Sequence, residues 1–194
     1  MTHRALFGLT LVVVALQVTA APIAPSIPMP AHLAGQVRKV VDGDTLHIVD
    51  AEGYLRVIRL TDIDAPEEAH GPRRPGQRHA REATAFLRDR ALKKTAELQC
   101  FDVDVRLRED GARRERYVCR ITVDGLNLNS ALVDAGLAMV ERWNPGYVRD
   151  GAMYSREDAA RAAHRGVWAD PDPVPPWVWR RTCWERGMCP DANP

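Results

Sequence analysis

The chain has almost no net charge: 27 Lys and Arg stand against 26 Asp and Glu, leaving +1 at pH 7. That balance excludes a uniformly basic surface of the kind that draws in phosphate backbones, so attraction to nucleic acid has to come from local clusters. There are four cysteines but no Cys-x-x-Cys and no paired-histidine spacing, which argues against a zinc site. An apolar run long enough to cross a bilayer is missing too, since the run from Ala5 to Leu16 is too short. With His3 and Arg4 before it and Val18-Thr19-Ala20 after it, that run reads as a signal peptide over Met1–Ala20. The leader contains one arginine and no acid, so the mature chain keeps 26 side chains of each sign. Export to the periplasm or to the outside is expected, with no lasting membrane association. An oxidising compartment also suits the cysteines, which allow three pairings. Two local bridges are expected. Cys100 and Cys119 lie on consecutive predicted strands, and Cys183 and Cys189 close a short loop.

What is present describes one domain with appendages. Hydrophobic residues make up 45% and charged residues 27% of 194 positions, ordinary values for a soluble globule with its own core. Residues 21–34 are rich in Pro and Ala without periodicity and read as an extended linker. The domain is taken as 35–170, and 171–194 as a Trp-, Pro- and Cys-containing extension over it. Strands are predicted over Gln36–Val41, Leu46–Val49, Leu55–Ile63, Phe101–Leu107 and Arg116–Val123. Helices are predicted over Gln77–Lys94, where Ala80, Ala83, Leu87 and Ala91 form a narrow apolar stripe, from an N-cap at Asn129 to Gly136, and over Gly151–Arg165. The pattern is that of a small α+β protein dominated by its strands.

The chemistry concentrates between Val40 and Glu67. The segment Val40-Val41-Asp42-Gly43-Asp44-Thr45 leads into one strand, Asp50-Ala51-Glu52-Gly53 forms a turn, and Arg59-Leu60-Thr61-Asp62-Ile63-Asp64-Ala65-Pro66-Glu67 closes the next. Folding this ribbon back on itself sets Asp44 beside Asp64. Two carboxylates meeting there repel unless a cation lies between them, and such hard oxygen donors suit Ca²⁺ or Mg²⁺. Simple alternation puts Arg59 and Asp64 on opposite faces, so a bend is required, and it is expected near Ile63 ahead of Ala65-Pro66. Asp42 reads as the turn residue, and Asp62 as facing solvent or supporting the site.

These blocks resemble the signature of the staphylococcal nuclease (thermonuclease) family, V-D-G-D-T followed by R-L-x-x-I-D-A-P-E. Glu82–Leu87, Asp124–Ala138 and Ala159–Trp168 resemble later blocks of the same family in the same order. The resemblance implies a five-stranded OB barrel with three packed helices. It implies Ca²⁺ held by Asp44, Asp64 and the backbone carbonyl of Ala65, with Thr45 supporting them. Glu67 would position or deprotonate water, and Arg59 would clamp phosphate. A second phosphate arginine falls on Arg116, counting back from Asp124-Gly125 and Asn129. The family's Tyr-Gly before that position is replaced here by Arg114-Glu115, and Arg113 or Arg114 serves instead if the hairpin register slips. Arg73 and Arg74 are candidates for tracking a phosphate backbone, and Trp143 and Tyr147 for stacking on bases.

The expected function is therefore a monomeric, exported, Ca²⁺-dependent nuclease acting on DNA and RNA, single strands preferred. Water would attack phosphorus and leave 3′-phosphate ends. The rival expectation is a non-catalytic OB-fold module that binds nucleic acid or protein.

Overall fold

Alternating apolar side chains set the barrel. In β1 (Ala31–Val40), β2 (Thr45–Asp50) and β3 (Leu55–Leu60), the inward residues Val37, Leu46, Ile48, Ile58 and Leu60 are at most 1% exposed. Each such side chain contributes about 1.5–3 kcal/mol by leaving water. The computed structural model describes residues 25–107, 113–143 and 145–189. The leader Met1–Ala20 and residues 21–24 of the linker lie outside the described residues. The barrel strand β1 starts at Ala31 and not Gln36, so the last four residues assigned to the linker pair with the barrel.

The two-residue repeat continues after the short β4 (Ile63–Asp64) into β5 (Thr95–Leu107) and β6 (Arg113–Val123). Strand β1 pairs antiparallel with β2 and β5, and β5 with β6. Parallel pairing of β3 with β6, Val57 opposite Arg116 and Arg59 opposite Val118, closes the ring. Five strands in a closed mixed barrel make the expected OB-like fold. Cys100 and Cys119 face each other across β5 and β6 and are bonded, as are Cys183 and Cys189.

Helix α1 (Ala80–Ala91) lays its predicted stripe on the barrel, with Ala83, Leu87 and Ala91 fully buried. A two-residue strand, β7 (Leu126–Asn127), leads into α2 (Leu128–Asp134), and β8 (Met139–Val140) pairs with β4 before α3 (Ala152–Ala162). A fourth helix was not expected. It is α4 (Pro176–Trp179), which continues into a π-helical turn at Arg180–Trp184 and lies in the tail.

Asn129 is not a helix cap. That role belongs to Asn127, whose Oδ1 accepts the Ser130 N–H at 3.1 Å. Asn129 is completely buried and ties two elements together instead. Its Oδ1 accepts the Ile121 N–H at 3.0 Å, and its Nδ2 donates to the carbonyls of Thr61 at 2.9 Å and Cys119 at 3.3 Å. Thr61 is the last residue before the chain breaks direction at Asp62, whose φ is 71°. The bend thus falls one residue earlier than expected. An aspartate tolerates this left-handed geometry better than most residues. Asp62 is 1% exposed, so it does not face solvent; its carboxylate accepts the Arg149 N–H and lies 3.8 Å from Arg120.

Replacing Asn129 by Ala would strand buried donors and acceptors on both sides of the bend. The expected loss is about 2–4 kcal/mol in urea unfolding. A loss below about 0.5 kcal/mol, the scale of a neutral surface change, would contradict this role.

Candidate active site

Strand register brings the first half of the site together. Thr45 pairs with Arg59, and the Leu60 N–H donates to the Asp44 carbonyl at 2.8 Å, so Asp44 and Arg59 are cross-strand neighbours. The turn into Asp44 is held by Asp42, whose Oδ1 accepts the Asp44 N–H at 3.1 Å. Gly43 lies where a Cβ would come within 2.7 Å of the Cβ atoms of both Ala65 and Ala83. Glycine is what lets this turn wedge between α1 and the end of β4. Asp44 then accepts from the Ala65 N–H at 2.8 Å through Oδ2 and from the Thr45 hydroxyl at 3.0 Å through Oδ1.

The bend at Asp62 brings the second half. It turns Asp64 back toward Arg59, which alternation alone would have kept apart. Arg59 bridges the two acids, with Nη1 2.5 Å from Asp44 Oδ2 and Nη2 2.7 Å from Asp64 Oδ1. A second guanidinium arrives from the tail. Arg180 Nη2 lies 2.8 Å from Asp64 Oδ2, its Nη1 lies 3.1 Å from Asp64 Oδ1, and the same Nη1 donates to Glu67. Glu67 is held by its backbone as well. Its N–H donates to Gln77 Oε1 at 3.2 Å, its carbonyl accepts the Gln77 N–H at 2.8 Å, and Gln77 Nε2 donates to the Val174 carbonyl.

Electrostatics follow from burial. Asp44 has its pKa raised because burial disfavours its charge, and Arg59 offsets this only in part. Glu67 is pushed up to about 7 by burial, against the pull of Arg180. Burial also works against the charges on Arg59 and Arg180, but their carboxylate partners outweigh it and raise both pKa values. The centre therefore demands positive charge and holds it firmly. Its carboxylates and guanidiniums line one groove of about 1000 Å³.

Other expected residues sort by where this groove runs. Arg116, opposite Val57 on the barrel seam, lines it and pairs with Asp104 at 2.7 Å. Arg114, Arg74, Trp143 and Tyr147 line it too, with Trp143 70% exposed and so not a core residue. Arg73 and Arg74 are both exposed, but after the turn at Gly71 only Arg74 lines the groove.

No group of three or more His, Cys, Asp or Glu side chains poised for a metal occurs among the described residues. The expected set is different in kind, with two carboxylates and one backbone carbonyl. Its chemistry fits a hard divalent cation, since Asp44 and Asp64 are 7% and 1% exposed and already draw two guanidiniums into contact.

Comparison with known proteins settles the lineage. The family profile described as Staphylococcal nuclease homologue matches residues 57–170. The chain belongs to the staphylococcal nuclease family. It is 35% identical to an uncharacterized endonuclease of Escherichia coli O157:H7 across 77% of this chain and 86% of the relative. A micrococcal nuclease of Shigella flexneri is 32% identical across 80% of this chain and 85% of its own. Protein ParB of Escherichia coli is 33% identical across 79% and 82%.

In this staphylococcal nuclease homologue, sequence reading missed Arg180, Gln77 and Trp184. Arg180 and Trp184 lie beyond residue 170, where the family match ends. The only signal for them was the clustering of tryptophans with a cysteine pair in the tail.

Among the described residues, Arg180→Ala leaves Asp64 with Arg59 alone and Glu67 without an ionic partner. In excess chelator, denaturant unfolding is expected to show a loss of about 1–3 kcal/mol. That is smaller than for a fully buried pair, because Arg180 is 36% exposed and Arg59 remains. Unchanged stability would mean that this contact does not form in solution.

Proposed function

We propose that this protein is an exported, Ca²⁺-dependent nuclease that hydrolyses phosphodiester bonds in DNA and RNA, preferring single strands and leaving 3′-phosphate ends. The observation that carries the reading is the convergence of Asp44, Asp64 and Glu67 with Arg59 and Arg116 along one groove. The names of its relatives, two of them endonuclease and micrococcal nuclease, support it. The two disulfides accord with an oxidising compartment.

Each residue has a task that its position allows. Arg59 and Arg116 bind phosphate oxygens, for which the planar guanidinium is suited. Glu67, held by Gln77 and Arg180, orients the attacking water and takes its proton. Water oxygen bonds to phosphorus as the P–O5′ bond breaks; the departing 5′ oxygen takes up a proton from solvent and leaves as a hydroxyl, and phosphate stays on the 3′ oxygen. Asp44, Asp64 and the Ala65 carbonyl would hold the cation, with Thr45 fixing Asp44. When bound, that cation supplies positive charge to the phosphate and lowers the cost of charge build-up on it.

Denatured DNA incubated with the mature protein should be cut with Ca²⁺ and spared with excess chelator. Arg59→Ala should lower kcat by roughly 10²–10³, the scale for one preorganised charge-stabilising donor, and Glu67→Gln should abolish turnover while binding persists. Binding without cleavage by the unmodified protein, with every divalent ion tried, would favour the non-catalytic module.

A further inference from the structure

The tail is fastened to the groove at four points. Trp179, 1% exposed, donates through Nε1 to the Pro75 carbonyl at 3.3 Å, and Trp184 donates to the same carbonyl at 3.0 Å. The Val174 carbonyl accepts from Gln77, and the Cys183–Cys189 bond closes the segment just beyond its helical turn. Arg180 then reaches Asp64 and Glu67, and Trp184, four residues on, lines the same groove. One guanidinium and one indole lining the groove, those of Arg180 and Trp184, are thus supplied by a segment outside the family match.

Trp184 is half-buried, so fastening does not use up its ring. The Arg74 guanidinium lies 5.5 Å from its ring centroid, and His70 meets it edge-on with centroids 5.6 Å apart. An aromatic face backed by a cation, beside a phosphate-binding centre, has the chemistry of a base-stacking platform.

We propose that Trp184, supported by Arg74, is a nucleobase-stacking subsite, and that the segment from Pro176 to Cys189 forms a substrate-binding wall of the groove for single-stranded nucleic acid. This rests on the nuclease reading for the identity of the groove, but not for its own test. Stacking takes any base, so the subsite confers preference for unpaired strands and not for sequence. In a duplex the bases are already stacked on one another and cannot reach the indole.

The test is fluorescence anisotropy of a short labelled oligothymidylate with the full-length mature protein in excess chelator, where hydrolysis does not intervene. Trp184→Ala should weaken binding roughly 5- to 100-fold, the range for one base stacked on an aromatic ring. Trp184→Phe, which keeps a π face but loses the N–H to Pro75, should recover most of the loss. Trp184→Leu, with apolar bulk and no π face, should not. The loss should be much smaller on a duplex of the same length. If Trp184→Ala is unfolded by circular dichroism, the Phe and Leu variants decide the matter by the same ordering. Equal affinities for Phe and Leu, or equal losses on single strand and duplex, would overturn the subsite. If oligothymidylate binds as expected but no divalent ion supports its cleavage, the nuclease reading fails while the subsite stands.

Discussion

The contact on which the site depends is the guanidinium of Arg59 lying between Asp44 and Asp64. Carboxylates this deeply buried cannot keep their charge without a partner, and two of them side by side cannot be tolerated alone. Everything around them supplies or positions positive charge. The barrel seam sets Arg59 opposite Val118, two residues along β6 from Arg116, the β2–β3 register sets it next to Asp44, and the turn at Asp62 returns Asp64 to it. Asn129 holds that turn from inside the core, so a buried amide with no catalytic contact governs the geometry of the acids.

The near-zero net charge takes on meaning at this scale. The groove sets arginines beside aspartates and glutamates, so Arg59, Arg116 and Arg180 are paired with carboxylates before any substrate arrives. A substrate phosphate can pair with Arg59 or Arg180 only as their carboxylate partners find other positive charge. Filling of the acidic centre by a divalent cation therefore strengthens the hold on a phosphate there, while stacking on Trp184 needs no cation. A guanidinium from the tail on Asp64 and Glu67 makes the extension part of the centre and not an ornament upon it.

Much of this was legible in the sequence because it is local. Asp50 to Gly53 is a turn by composition, the strands alternate, and α1 carries its stripe of Ala80, Ala83, Leu87 and Ala91. The pairing of Cys100 with Cys119 followed from strand order. What could not be read depended on contacts between distant segments. The bend sits at Asp62 and not at Ile63 because Asn129, 68 positions away, holds the Thr61 carbonyl. Asn129 carries a good capping side chain, yet its burial gives it this other use and leaves capping to Asn127. Arg180 reaches Asp64 across 116 positions, a closeness no periodicity encodes. Arg73 and Arg74 are alike in sequence, and only the fold of their loop turns one toward the groove.

The most direct measurement is a calorimetric Ca²⁺ titration of the unmodified protein and of Asp44→Asn, Asp64→Asn and the double variant. If the two acids share one ion, each single change removes most of the binding and the double change costs little more, giving strong coupling in the cycle. Independent, additive losses, or Ca²⁺ binding that survives both substitutions, would contradict a shared centre.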